Sequence, residues 1–414
     1  MTRVLPARRL LTEHGWLDDH QLRVEEGVIT AIEPIPAGIT VRDAELLCPA
    51  YIDIHVHGGA GVDVMDDEPD ALDKLAMHKA REGVASWLPT TVTAPLKTIH
   101  RALERIAQRY HCGGPGAQVL GSYLEGPYFT PQNKGAHPPE LFRELDLAEL
   151  DELIAISRQT LRVVALAPEK PGALQAIRHL RQQGVRVMLG HSAASWAQTR
   201  AAFDAGADGL VHCYNGMTGL HHREPGMVGA GLTDPRAWLE LIADGHHVHP
   251  AAMKLCCCCA KERLVLITDA MQAAGMPDGN YTLCGEKVEM HGGIVRTASG
   301  GLAGSTLSVD AAVRNMVELT GIAPEDAIHM ASLHPARLLG IENHSGSLAP
   351  GKRASTIALD SGLHLQQIWI QGQLLPLCPF FPPWPSIMNR KAFLFLSIKK
   401  TPIPGWWQRI ITDQ

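Results

Sequence analysis

The chain has no basic stripe ahead of its tail, no run of about twenty apolar residues, and no cysteine spacing of the kind a disulfide framework uses. Lys and Arg number 37 against 43 Asp and Glu, a net charge of −6, which argues against nucleic acid as a partner. The missing apolar run excludes a membrane-spanning helix. Of nine cysteines, four are consecutive at Cys256–Cys259 and the rest are scattered; they fit a reducing cytoplasm, and the run reads as small apolar residues on a buried helix. Charges interrupt the opening MTRVLPARRLLTEHGW, so no export signal is visible and a cytoplasmic location is expected.

What the chain does have is size and rhythm. Its 414 residues are 45% hydrophobic, enough for one barrel of roughly 250 residues and a smaller domain. Residues 1–47 alternate with period two, as short strands do. From Ala50 onward, apolar strand-like runs recur at Ala50, Ala85–Val92, Gln118–Glu125, Leu161–Pro168, Arg186–His191, Gly209–Tyr214, Leu239–Asp244 and Leu264–Thr268. Helical spacing separates most of them, at Pro69–Glu82, Leu96–Arg109, Pro139–Arg158, Gly172–Gln183 and Ser195–Ala205. Eight strands alternating with helices predict an α/β fold, a (β/α)8 TIM-type barrel over residues 48–345. A strand pair at 280–298 interrupts it. Residues 346–375 return to strand pattern and are expected to join 1–47 in a small β-sandwich domain built from both chain ends.

Reactive groups in such barrels sit at the C-terminal ends of the strands. PAYIDIHVHGGAG ends the first strand in His55 and His57, which alternation places on one side. The other ends carry Thr90 and Thr91, Glu125, Glu169, His191, His212, His247 and Asp269. Each has a plain structural alternative, a helix cap for His191 and Asp269 or a solvated loop acid for Glu125, but convergence on one rim argues against all of these together. Glu125, His191 and His212 offer one carboxylate and two imidazoles, a set that holds Zn²⁺ or Fe²⁺ and leaves a position for water. Asp269 is then placed to move a proton, and His247 to stabilise an oxyanion. These roles together describe metal-assisted hydrolysis of an amide-like bond. Arg223, in REPG, is a rigid charged fork suited to a phosphate.

The ordered series LEGP at Glu125, KGAH ending at His137, GHS at His191, HCYNGM from His212, REPG from Arg223, ADGHHV with His247, TDA with Asp269 and LAGS at Leu302–Ser305 resembles the amidohydrolase superfamily, and within it the N-acetylhexosamine-6-phosphate deacetylases, over roughly residues 1–375. The resemblance implies release of acetate from an amino-sugar phosphate. It implies one ion on Glu125, His191 and His212, with Asp269 as acid and base. Ala136, Asn215, Gly216, Arg223, His247 and the segment Leu302, Ala303, Gly304 would hold the substrate, with His137 and His222 as weaker candidates. A partner subunit contributes to the phosphate site in that family, so a homodimer is expected. SYLEGPYFTPQNKGAHPPE and DGHHVHPAAM look most like members acting on the galactose epimer, with the glucose epimer second.

Two features depart from the family pattern. His55 and His57 are absent from some members that work with a single ion, and here they allow a second one. The stretch 376–414, rich in Pro, aromatic and basic residues, reads as an irregular tail outside the pattern. The remaining alternatives are another amidohydrolase acting on cyclic amides and a non-catalytic barrel scaffold.

Overall fold

A computed structural model of the chain describes residues 2–38 and 44–376; the expectation for the tail falls outside them. Eight parallel strands form the barrel: β1 (Tyr51–Val56), β2 (Val84–Thr91), β3 (Ser122–Glu125), β4 (Leu161–Leu166), β5 (Arg186–Leu189), β6 (Gly209–Leu210), β7 (Trp238–Ile242) and β8 (Leu264–Ile267). Each pairs with its sequence neighbour, in registers such as Val163 opposite Arg186 and Leu239 opposite Leu264. The strands read as unbroken apolar runs because both faces are covered, one by barrel-interior side chains and the other by helices.

The helices form where amphipathic spacing and end signals agree. Helix α1 (Ala71–Arg81) buries Leu72, Leu75 and Ala76, and α2 (Leu96–Cys112) buries Ile99, Leu103 and Ile106. Helix α3 (Leu147–Ile156) starts where the Asp146 carboxylate accepts from the Ala148 N–H at 2.9 Å. The predicted span from Pro139 is therefore too long: Pro139–Leu141 forms only a 3₁₀ turn. Helix α4 covers Ala173–Gln182, and a reciprocal Ser195–Gln198 capping box opens α5 (Trp196–Ala205). The irregular link after β6 holds α6 (Gly226–Thr233). Helix α7 (Pro250–Ala260) carries the cysteine run, and here the expectation of burial fails. One helix face meets the barrel, so Cys256 is buried while Cys258 and Cys259 are exposed. None of the eight described cysteines forms a disulfide.

Strands five and six are shorter than predicted because the chain turns at their ends. His191, His212 and Tyr214 take φ of 45°, 24° and 82°, left-handed values that no strand can contain. The insertion holds three strands, Gly279–Leu283, Glu286–His291 and Ile294–Thr297. The sequence predicts two strands there; the first of that pair, YTLCGEKVEM, folds back at Cys284–Gly285, where both residues have positive φ as a tight hairpin requires.

Strands from both chain ends share one seven-stranded sheet, in the order Gln373–Leu375, Leu365–Ile370, Thr356–Leu359, Leu46–Pro49, Thr2–Thr12, Gly15–Glu25, Val28–Pro34. It carries its own apolar cluster, with Leu10, Leu22, Leu47 and Trp369.

The barrel closes just beyond its strand ends. Asp269 N–H donates to the His55 carbonyl at 3.0 Å, and His57 N–H donates to the Ala270 carbonyl at 2.8 Å. Below that seam, Asp53 accepts from the Thr268 hydroxyl at 2.6 Å and meets Lys79 Nζ at 2.9 Å; Lys79 also contacts Glu82. Burial opposes a charge on Lys79, but the two carboxylates hold its pKa above the ordinary lysine value. Lys79→Met strands two buried carboxylates without a cation and should cost about 3–5 kcal/mol. A thermal melting midpoint equal to that of the parent would show that the seam does not depend on this charge.

Candidate metal centre

The site is built at the C-terminal mouth of the barrel from residues that leave the strands one after another. His55 is the fifth residue of β1 and His57 lies just past its end. Glu125 is the last residue of β3, and His191, His212 and Asp269 each stand two residues beyond β5, β6 and β8. All six are nine-tenths or more buried. His191, His212 and Asp269 sit at positive φ, with 50° at Asp269, so the local backbone is strained where each side chain turns into the mouth.

One carboxylate joins two histidine pairs. Glu125 Oε1 lies 3.3 Å from His191 Nε2 and 3.1 Å from His212 Nε2, and these two nitrogens are 3.1 Å apart. Glu125 Oε2 lies 3.1 Å from His57 Nε2, itself 3.2 Å from His55 Nε2. Asp269 Oδ1 is 3.1 Å from His57 Nε2.

The tautomers follow from the outer nitrogens. His57 Nδ1 faces the Thr90 carbonyl at 3.1 Å, His191 Nδ1 that of Asn133 at 3.1 Å, and His212 Nδ1 that of Asn215 at 3.1 Å. His55 Nδ1 meets the buried Glu240 carboxylate at 3.0 Å. A carbonyl can only accept, so these Nδ1 atoms carry the proton and the Nε2 lone pairs point inward. Lone pairs and carboxylate oxygens within about 3 Å of one another have no donor between them, and a divalent cation is what this donor set fits. Two groups of ligand-type atoms meet that description, His55–His57–Glu125 and Glu125–His191–His212. Burial, reinforced by the neighbouring His137, pushes His191 down to about 4, which keeps it a neutral ligand at physiological pH.

A cavity of about 280 Å³ opens onto this centre. Its walls include Ala136, His137, Asn215, Gly216, His247, Leu302, Ala303 and Gly304, all expected from the sequence. His137 takes the Thr93 N–H on Nδ1 at 3.4 Å and presents Nε2 to Glu125 at 3.3 Å, so it steadies the carboxylate as well as lining the wall. His247 is held by Asp244, Nδ1 to Oδ2 at 2.6 Å. A Cβ on Gly216 would come within 2.9 Å of His191 Nδ1, so the residue must be glycine for the ring to fit.

Arg223 stands apart from these wall residues. It does not line its own chain's cavity; the loop carrying it runs along the surface, with Leu220 half exposed, and its guanidinium meets His222 Nε2 at 2.6 Å. Glu169 also stays outside, tying Thr130, Ser192 and Ala193 together beside His191. Sequence reading missed Glu240 and Cys284. Glu240 sits mid-strand in β7, where only the odd appearance of an acid in the apolar run WLELI hints at a role. Cys284, at the insertion's first turn, lines the cavity together with Leu283.

With this geometry in place, comparison with known proteins decides the family. Residues 46–389 match the model of the amidohydrolase family. The chain belongs to that family, and it is a hydrolase of carbon–nitrogen bonds. It is 86% identical over 374 residues to N-acetylgalactosamine-6-phosphate deacetylase of Escherichia coli O157:H7, a match covering 90% of this chain and 99% of that one. It is 50% identical to N-acetylglucosamine-6-phosphate deacetylase of Vibrio furnissii, over 89% and 94% of the two chains. Among solved structures, N-acetyl-D-glucosamine-6-phosphate deacetylase from Mycobacterium smegmatis, in complex with N-acetyl-D-glucosamine-6-phosphate, superposes with a TM-score of 0.85 at 32% identity, covering 90% and 99%.

Glu240→Gln should loosen His55 and lower metal affinity about 10–100-fold, read by chelator competition followed by metal analysis. Unchanged affinity would mean that Glu240 does not orient the ligand.

Proposed function

We propose that this amidohydrolase removes acetate from N-acetyl-D-galactosamine 6-phosphate, giving D-galactosamine 6-phosphate, as a cytoplasmic homodimer in amino-sugar breakdown. The convergence of Glu125, His191, His212, His55, His57 and Asp269 on one point supports the reaction class. The 86% identity to the E. coli galactosamine-series deacetylase supports the epimer. The glucose epimer is the second reading, favoured by the 50% identity to the Vibrio furnissii protein.

Glu125, His191 and His212 would hold a Zn²⁺ or Fe²⁺ ion, and His55 and His57 with Glu125 could hold a second. Held there, such an ion would supply Lewis acidity and would lower the pKa of a bound water toward neutrality. Asp269 takes the proton of the attacking water and delivers it to the departing amine. Its Oδ1 lies 3.1 Å from His57 Nε2, at the edge of the same donor set, where an ionised carboxylate can enter the cycle as a base. His247, held through Nδ1 by Asp244, would stabilise the oxyanion from the cavity wall. Ala136, His137, Asn215, Gly216 and the Leu302–Gly304 segment would grip the sugar. The partner subunit's Arg223 would meet the phosphate, a reading supported by the outward course of this loop and by the absence of any carboxylate partner for Arg223 among the described residues.

Asp269→Asn should keep metal and lose nearly all acetate release, about 10²–10⁴-fold in kcat; parent-like turnover would remove Asp269 from the mechanism. Acetate release from the two epimeric 6-phosphates, measured side by side, should favour the galactose series, and the reverse order would move the assignment to the second reading. Mixing Asp269→Asn with Arg223→Ala subunits tests the shared site. If Arg223 serves its partner, half the molecules hold one complete site and activity returns to about a quarter of the parent value. No recovery would put Arg223 in its own chain's site or outside catalysis.

A further inference from the structure

At the opposite end of the barrel lies a larger cavity, about 560 Å³. It opens where strands begin: Gln118 and Val119 pair with the start of β2, and Arg162 is the second residue of β4. The C-terminal turn of α2 brings Arg109, and the loop before the last strands brings Arg353. Among the described residues lining this cavity there is no carboxylate.

The three arginines are not equivalent. Arg109 is neutralised by Asp73, Nε to Oδ1 at 2.6 Å. Arg162 has only neutral partners, donating to the Leu120 carbonyl at 3.1 Å and the Tyr110 hydroxyl at 3.4 Å with its guanidinium over the Tyr110 ring. The Arg353 guanidinium donates to the Gln118 side chain at 3.3 Å. Two guanidinium groups held by uncharged acceptors, on a protein of net charge −6, make a local positive cleft. Their planar forks suit phosphate oxygens. The rest of the wall, Leu339, Ile341 and the Tyr110 side chain, is apolar enough to cover an organic group beside the anion.

We propose that this cleft binds a small phosphomonoester, its phosphate on Arg162 and Arg353 and its organic part against Tyr110, Leu339 and Ile341, at a site separate from the metal centre. Hydrogen–deuterium exchange on the intact metal-loaded enzyme tests it with two probes, inorganic phosphate and adenosine 5′-monophosphate, each at millimolar concentration. Peptides covering 109–120 and 339–353 should exchange more slowly with adenosine 5′-monophosphate, and peptides around 212–226 report the metal mouth separately. Slowing by inorganic phosphate as well assigns the recognition to the anion; slowing by the nucleotide alone assigns a share to the apolar wall, and either outcome supports the site. In Arg353→Gln, at an exposed position, the concentration needed should rise about tenfold, with deacetylation unchanged. Arg162→Gln should behave alike. Slowing confined to the mouth peptides, or slowing at the foot that survives Arg353→Gln at the same concentration, would overturn the proposal.

Discussion

Four imidazoles are anchored from behind so that their free lone pairs face one another, and the rest of the molecule serves that constraint. Each outer nitrogen is tied to a different acceptor, three backbone carbonyls and the Glu240 carboxylate. Unscreened, such a gathering of lone pairs and carboxylate oxygens would repel itself. The barrel imposes it, because the ladders fix strands β1, β3, β5 and β6, and the ligand-type side chains stand at or just beyond the ends of those strands. Strain at His191, His212 and Asp269 is sustained by the surrounding packed core, in which strand residues such as Ile54, Leu189 and Leu266 are fully buried.

Sharing Glu125 has a chemical corollary. Oε1 faces His191, His212 and, at 3.5 Å, His55, while Oε2 faces His57, so any change in the tilt of that carboxylate moves both groups together. His137 fixes the tilt through Oε2. The wall of the cavity is thus mechanically linked, through His137, to the carboxylate that both histidine groups share.

Much of this was legible in the letters. The β/α rhythm gave the barrel, and histidines and acids at strand ends gave the centre, since a strand end is a position that periodicity can locate. What escaped had physical reasons. The left-handed backbone at His212 and Tyr214 shortens a strand whose composition alone reads as continuous. Cys284–Gly285 turns a hairpin inside a run rich in strand formers. Glu240 could not be found by spacing because its role exists only across the barrel, with His55 on another strand. Arg223 is recognisable in the sequence as a charged fork in a Pro-Gly loop, but the surface course of that loop depends on tertiary structure. The half-exposed cysteine run shows the same limit, since composition says that Cys256–Cys259 can be buried but not which helix face meets the barrel.

The strand Leu46–Pro49, which leads directly into β1, is flanked by Thr2–Thr12 on one side and by Thr356–Leu359 on the other. A segment from the far end of the polypeptide thus braces the entrance to the histidine-bearing strand. During synthesis that brace emerges after every barrel strand has left the ribosome, and Asp269 itself follows the eighth. Assembly of the centre is therefore a late, long-range event, and a nascent chain halted before its final strands carries histidines but no finished cage in which to trap a cation.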